Sequence, residues 1–193
     1  MRLPRLLVLT DRSQLPVGRD LLGTLRACHR AGLRAVIVRE HDLDPNRRHD
    51  LVVALAGLED MIVLTSRLPD RAAHGLHLAA HQPAPEAGLW GRSCHRPEDV
   101  VAAADNGARW ATLSPYAESL SKPGRSALPP QAYAALPVPT YALAGIEAGN
   151  AASAIEAGAH GVAVMGAVMR ADDPAGVVQD LLAALPRSEG GTR

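Results

Sequence analysis

Residues 141–170 have the sequence YALAGIEAGNAASAIEAGAHGVAVMGAVMR. It opens on the short apolar run Tyr141–Leu143, and a second run, Val162–Met165, lies near its end. Between them, an alanine-rich segment begins at Asn150, a residue type that favours helix starts, and stops at Gly158, a type that favours helix ends. Two apolar runs of strand length joined by a helix predict a βαβ unit with parallel strands.

The same pattern repeats toward the amino terminus. Further apolar runs lie at Leu6–Leu9, Ala35–Val38, Met61–Leu64, Leu76–Leu78 and Ala111–Leu113, with a weaker one at Leu89–Ser93. Continuous apolarity without alternation predicts strands that helices cover on both faces. Eight strands alternating with helices favour an α/β fold, a single compact (β/α)8 TIM barrel of eight parallel strands, over an open doubly wound sheet.

The predicted barrel occupies residues 1–186 as one domain, and the polar, glycine-rich residues 187–193 are expected to form a disordered tail. Predicted helices include a stripe of apolar positions from Leu21 to Cys28, the segment Pro97 to Ala104, and a last helix that opens at Asp173. Barrels of this kind typically take about 250 residues, so we expect minimal connections around the third and fourth units.

Composition excludes several classes of protein. The 193 residues carry 20 basic and 20 acidic side chains, so nothing favours a nucleic-acid binder or a polybasic membrane-surface protein. No apolar run approaches the roughly 20 residues of a membrane helix, and no secretory leader pattern is evident, which favours a cytoplasmic location. The two cysteines, Cys28 and Cys94, lack metal-ligand spacing and are expected to be free thiols.

Two glycine turns predict an anion site at the carboxyl end of the barrel. Gly145 follows the seventh predicted strand and Gly166 follows the eighth, at the two positions where this fold often binds phosphate. Small residues let backbone amides approach an anion closely, and a helix start adds a partial positive charge. The alternative is that both glycines only permit tight strand-to-helix turns.

Other polar side chains follow the remaining strands and would meet at the same end. They include Asp11 and Arg12, Arg39 to His41, Thr65 to Arg67, Arg92 to His95, and Tyr116 to Lys122. Four histidines, His41, His77, His81 and His95, lie in or near these loops, but none shows the paired spacing of a metal site. We therefore predict no metal ligands.

The order of these segments resembles the thiamine phosphate synthase/TenI superfamily over nearly the whole chain. The resemblance is carried by Leu7 to Asp11, Val38 to Glu40, Gly75 to Leu78, Gly91 to His95, Ser114 to Gly124, Ala142 to Ile146 and Glu156 to Met165. Members are (β/α)8 barrels that join a pyrimidine diphosphate to a thiazole phosphate, or that isomerise the thiazole phosphate beforehand.

The resemblance implies roles for the matching residues. Ser93 matches a serine near the substrate phosphate and pyrimidine, and Gly145 and Gly166 match the thiazole-phosphate cradle. Arg39 matches the arginine after the second strand. Three further phosphate-binding candidates match a Thr-x-Thr-Lys loop: Ser119, Ser121 and Lys122.

Departures from the synthase pattern argue against synthase activity in this chain. Synthases have Asn-Asp-Arg after the third strand and another aspartate after the fourth, and these carboxylates hold Mg²⁺; this chain has Ser66 and Gln82 there. Mg²⁺ prefers anionic oxygen ligands, which neither residue supplies. The TenI branch needs no metal, but its histidine after the sixth strand is Pro115 here. The candidates for acid/base catalysis are then His41, His77, His95 and Glu118, of which we favour Glu118 and His41.

Three functions therefore stay open. The first is a TenI-like thiazole tautomerase, an isomerase without a cofactor. The second is a divergent thiamine phosphate synthase, a transferase that would need Mg²⁺, and the third is a non-catalytic phosphate binder or regulator. In each case the expected ligand is a thiazole phosphate or thiamine phosphate bound at the barrel mouth, and a homodimer is a possible assembly.

Overall fold

The computed structural model describes residues 2–118 and 126–186 as a closed barrel. Its strands are β1 (Leu6–Leu9), β2 (Ala35–Val38), β3 (Ile62–Ser66), β4 (Gly75–Leu78), β5 (Trp90–Cys94), β6 (Ala111–Leu113), β7 (Thr140–Leu143) and β8 (Gly161–Val164). Neighbours in sequence pair in parallel all the way round, and β8 closes on β1 through the Leu7 and Ala163 pair. The predicted eight-stranded TIM barrel is confirmed.

The outer layer contains α1 (Leu21–Arg30), α2 (Pro45–Ala56), α3 (Pro97–Asp105), α4 (Ala148–Glu156), the single turn α5 (Gly166–Met169) and α6 (Pro174–Ala184). Aspartate side chains start several of these helices: Asp20 accepts from the Gly23 amide at 2.6 Å, and Asp173 accepts from the Gly176 amide at 3.0 Å. Such caps satisfy amides that have no partner within a helix.

The short chain closes a full barrel because several connections lack α-helices. Within the described residues, β3 leads to β4 and β4 leads to β5 through turns alone, at residues 67–74 and 79–89. The expectation of minimal third and fourth units is therefore confirmed. Between β6 and β7 the described part contains only a 3-10 helix, Pro130–Tyr133.

Side chains alternate between the barrel interior and the helix layer, because successive strand residues point to opposite faces. A cluster of alternate strand positions fills the interior, including Leu7, Ile37, Leu64, Trp110 and Tyr141. A larger cluster joins the outer strand faces to the helices. Continuing the inward alternation one step beyond the interior layer brings Arg39, Ser66, Ser93 and Met165 to the carboxyl end of the barrel, which we call the mouth.

No helix in the described ranges is long and apolar enough to cross a membrane.

Candidate functional site

Two arginine side chains contact the turn from β8 into α5. A Cβ atom added to Gly166 would overlap the guanidinium of Arg170 and lie 2.5 Å from its Cζ, so the arginine rests directly on the glycine. At the preceding residue, Arg39 Nη1 contacts the sulfur of Met165. A thioether is a weak acceptor, which leaves most of the hydrogen-bonding capacity of Arg39 unused there.

The Asp11 carboxylate interacts with both arginines, with Arg39 directly and with Arg170 through Gln14. Its Oδ2 accepts from Gln14 Nε2 at 2.7 Å, and Gln14 Oε1 in turn accepts from Arg170 Nη1. The same Oδ2 lies 3.9 Å from Arg39 Nη1, and Ser13 Oγ donates to Oδ1 at 2.6 Å. Burial raises the pKa of Asp11, but the hydrogen bonds from Ser13 and Gln14 and the charge of Arg39 outweigh it and keep the pKa below its ordinary value. The carboxylate therefore stays ionised and orients both guanidinium groups.

Gly145 has a different environment from Gly166. Its φ of +67° is in the left-handed region, and an added Cβ would lie 2.5 Å from the Glu118 carbonyl oxygen and 2.7 Å from Ala117 Cβ. The missing side chain thus lets the loop after β6 lie across the turn after β7. This close approach brings Glu118, whose side chain is exposed, to the rim of the mouth.

His41 lies on the loop after β2 with an unpartnered buried nitrogen. Within residues 2–118 and 126–186, its Nε2 atom is buried and has no hydrogen-bond partner. Burial lowers the pKa of His41, and the positive charges of Arg67, Arg39 and Arg48 lower it further, while a hydrogen bond with the Ser66 backbone acts in the opposite direction. The imidazole is therefore mostly neutral at neutral pH, and its buried Nε2 atom keeps an unused hydrogen-bonding site among the described residues.

A polar chain passes through the barrel interior and ends at Ser93. Trp110 Nε1 donates to His77 Nδ1 at 3.1 Å, and His77 Nε2 lies 3.1 Å from Ser93 Oγ and 3.3 Å from Thr112 Oγ1. Burial, together with the charge of Arg92, lowers the pKa of His77 to about 4, so this side chain is neutral at neutral pH.

The residues at the family's magnesium positions do not fit that ion. The Gln82 side chain closes its own loop, accepting from the Ala79 amide at 2.8 Å and donating to the Arg67 carbonyl at 3.1 Å. Ser66 offers a carbonyl that faces Arg48 Nη2 at 3.4 Å. No group of three metal-binding side chains occurs in the described part of the chain. Neutral, internally bonded groups beside guanidinium charges cannot replace two carboxylates around Mg²⁺.

The neighbouring carboxylates do not compensate for this loss, because they are engaged elsewhere. Glu40 and Asp42, on the loop after β2, accept from the Arg12 guanidinium at 2.9 and 2.6 Å.

The structure brings some of the predicted site residues together, and others lie outside the residues that it describes. Arg39 contacts Met165, the residue before Gly166, across the intervening strand β1. Gly145 contacts the Glu118 backbone, and Ser93 lies on β5 at the end of the interior polar chain. Ser119, Ser121 and Lys122 lie outside the described residues. The sequence analysis did not identify Arg170, Gln14 or Trp110. Arg170 was recognisable as a cation four residues after Gly166, but the contact of Gln14 depends on the closure of β8 on β1.

A cavity of about 240 Å³ opens at the other end of the barrel, away from the mouth. Its lining includes Arg2, Leu3, Arg109, Trp110 and His160. The Trp110 ring thus contributes to this cavity at one edge and to the polar chain toward Ser93 at the other.

Known proteins resemble this chain in both sequence and fold. Residues 68–168 match the family model described as thiamine monophosphate synthase. A chain from Geobacter sulfurreducens is 33% identical over 94% of both chains. The thiamine-phosphate synthase of Thermus thermophilus is 33% identical over 87% of this chain and 90% of its own.

Solved structures give the same result for the fold. A thiamine phosphate pyrophosphorylase from Pyrococcus furiosus superposes with a TM-score of 0.81 at 20% identity, covering 93% of this chain and 94% of that one. The sequence matches confirm the superfamily that the loop motifs predicted. The named relatives are enzymes, as was expected for this chain. By sequence similarity over nearly its whole length, the chain belongs to the thiamine phosphate synthase/TenI family.

Proposed function

We propose that this protein binds a thiazole phosphate ester at the barrel mouth and isomerises it without a metal, as a tautomerase of the TenI type. The observation that carries the proposal is the side-chain set at the magnesium positions. Ser66 and Gln82 supply no charge, and the Gln82 side chain is consumed by its own loop. A reaction that moves a proton within one ligand needs an anchored ligand and an acid/base group, and it needs no metal-bound diphosphate.

The phosphate would lie at the turn between β8 and α5. Arg170 contacts Gly166 and Arg39 contacts the adjoining Met165, so this turn has two guanidinium groups, and the charge-assisted hydrogen bonds that such groups form are short and strong. The turn at Gly145 is part of the same proposed phosphate site. Ser119, Ser121, Lys122 and Ser93 are proposed as further contacts to the ligand.

The proton would be carried by His41 or Glu118. His41 is the better base of the two, because its lowered pKa keeps it neutral and its Nε2 has no partner among the described residues. Tautomerisation removes a proton from one carbon of the ring and returns one at another, so the product has the same composition as the substrate. A neutral imidazole accepts the first proton and, once charged, donates one back.

The second candidate is a thiamine phosphate synthase that works without the usual metal ligands. The names of the sequence relatives favour it, since the Thermus thermophilus chain is called a thiamine-phosphate synthase. Joining the two substrates would release diphosphate, whereas tautomerisation releases nothing. The two reactions are therefore separable by product.

The decisive experiment supplies each reaction's substrates to the same preparation. With a thiazole carboxylate phosphate in deuterated buffer containing EDTA, we expect deuterium to replace a carbon-bound hydrogen of the ligand, which proton NMR detects as the loss of that signal. His41→Asn should abolish this exchange, while His29→Asn, a change on α1, should not. Diphosphate release from hydroxymethylpyrimidine diphosphate and thiazole phosphate would instead support the synthase. Tight ligand binding with neither reaction would contradict both and leave a non-catalytic binder.

A second experiment tests the phosphate position. Arg170→Gln should weaken binding of thiamine phosphate roughly 10-fold or more, since a hydrogen bond to a charged group contributes about 1.5–3 kcal/mol. Arg26→Gln removes an equally exposed arginine from α1 and serves as the matched control. Equal affinities for the two variants by calorimetry would exclude Arg170 as a ligand.

A further inference from the structure

The chain of hydrogen bonds from Trp110 to Ser93 has a fixed direction. An indole nitrogen can only donate, so His77 Nδ1 must be the acceptor of the 3.1 Å bond. A neutral imidazole with an acceptor at Nδ1 carries its hydrogen on Nε2. Nε2 then donates toward Ser93 Oγ at 3.1 Å, with Thr112 Oγ1 at 3.3 Å as a second acceptor.

The hydroxyl hydrogen of Ser93 is consequently free. The Ser93 oxygen accepts from the imidazole, and no acceptor within residues 2–118 and 126–186 receives the hydrogen that this hydroxyl still has to donate. Ser93 lies on β5 and is half-buried, with its Oγ at the mouth end of the chain of hydrogen bonds. This hydrogen is therefore available to an acceptor atom that enters the mouth.

Two glycines on the barrel strands fix the position of the Trp110 ring. The indole is 1% exposed and lies against two glycines on neighbouring strands. A Cβ atom on Gly91 would collide with the indole, 2.5 Å from Cδ1, and one on Gly75 would lie 3.0 Å from Cη2. The two missing side chains create the space that brings the indole nitrogen within reach of His77.

We propose that Trp110 is a positioning residue that, through His77, makes the Ser93 hydroxyl a hydrogen-bond donor toward the barrel mouth. The site therefore selects a ligand with a lone pair at this point, such as a phosphate oxygen or an unprotonated ring nitrogen, over one that presents an N–H group. This selection concerns the polarity of one contact and is independent of which reaction the ligand undergoes.

The first test needs no ligand. Nitrogen-15 NMR of the histidine side chains distinguishes the two imidazole tautomers, and the His77→Gln variant identifies the His77 resonances among the eight histidines. We expect a single tautomer with the hydrogen on Nε2. A His77 that carries its hydrogen on Nδ1 in the wild-type protein would overturn the proposal outright.

The second test removes only the donor. Trp110→Phe keeps a ring in the space but loses the N–H group, so His77 should populate both tautomers. Binding of inorganic phosphate and of thiamine phosphate should weaken roughly 3- to 10-fold, because the Ser93 hydroxyl then donates to the imidazole in part of the population. Burial and the charge of Arg92, which lower the pKa of His77, are unchanged in this variant, so the imidazole should stay neutral.

Trp90→Phe is the matched control, because it removes the other tryptophan and leaves the polar chain intact. It should keep both the single tautomer and the wild-type affinity for the two phosphate ligands. If Trp110→Phe behaves like Trp90→Phe, Trp110 has only a packing role and the proposal is wrong. If the wild type binds neither phosphate ligand but shows the expected tautomer, the proposed function fails while the assignment of the hydrogen bonds stands.

Discussion

Replacing Gly166 by aspartate tests the location of the phosphate, because it places a negative charge where the ligand's charge is expected. The added Cβ would overlap the guanidinium of Arg170, which is the end of a flexible, exposed side chain and can move aside. Gly166 does not have a positive φ, so an aspartate fits its backbone without strain. The barrel should therefore still fold, and differential scanning calorimetry should give a melting temperature close to that of the wild type.

The size of the effect follows from the distance between the charges. Two unit charges about 4 Å apart repel by about 4 kcal/mol at the effective dielectric constant of a protein surface. Halving this figure for solvent exposure and salt leaves about 2 kcal/mol, or roughly 30-fold weaker binding of thiamine phosphate. The new carboxylate would also pair with Arg170 and remove it from the ligand, which acts in the same direction.

Isothermal titration calorimetry of wild type, Gly166→Asp and Gly57→Asp makes the comparison. Gly57 caps the carboxyl end of α2, at the far end of the barrel, so the same change there alters the net charge equally without approaching the mouth. We expect Gly57→Asp to bind like the wild type. Equal affinities for the two aspartate variants would refute the placement of the phosphate at the turn between β8 and α5.

Three further predictions concern the interior. Gly91→Ala should lower the free energy of unfolding by about 1–3 kcal/mol, because its Cβ would collide with the buried Trp110 ring; an unchanged denaturation midpoint would contradict this. Burial raises the pKa of Cys28 to about 11 and of Cys94 to about 12, so at pH 8 a thiol reagent should label neither cysteine until the protein is denatured; rapid labelling of the native chain would disprove it. Since the native pKa of His77 is about 4 and its ordinary value 6.5, native His77 resists protonation while the unfolded chain accepts it, and stability should fall by about 3 kcal/mol as pH drops from 6.5 to 4. His77→Gln should show a shallower fall in chemical denaturation, and an identical slope would count against the assignment.

Three strands with continuous apolar sequence, Leu6–Leu9, Ala35–Val38 and Ala111–Leu113, have the predicted bounds. Other apolar runs are displaced, since those predicted at Met61–Leu64 and Val162–Met165 form strands at Ile62–Ser66 and Gly161–Val164. The fifth strand, predicted at Leu89–Ser93, lies one residue later at Trp90–Cys94. The inward-facing residues of this strand are glycine and serine, so an apolar run alone does not show which residues form the strand.

The helix α2 was not predicted, because its buried residues do not form a simple apolar stripe. Its first half is polar, and Arg48 is buried by donating to the Ser66 and Leu68 carbonyls instead of by apolar packing. Val52 and Leu55 are the fully buried apolar residues of this helix, and Leu51 and Ala56 pack against the core while partly exposed.

The candidate site was predictable in outline and not in its contacts. The rule that parallel strands present chemistry at their carboxyl ends correctly grouped Arg39 with Gly166, although they are far apart in sequence. The contacts of Arg170 with Gln14, and of Trp110 with His77, depend on how the barrel closes and on which residues point inward. No spacing in the sequence encodes those distances.

The position of Trp110 in the barrel makes its fluorescence a probe of ligand binding. The chain has two tryptophans, so a Trp90→Phe protein would emit from a single buried indole. One edge of that indole borders the cavity at the amino-terminal end, and its nitrogen is two hydrogen bonds from Ser93. Fluorescence of an unlabelled sample would then register occupancy of either end of the molecule, and titrations could follow ligands that produce no measurable heat.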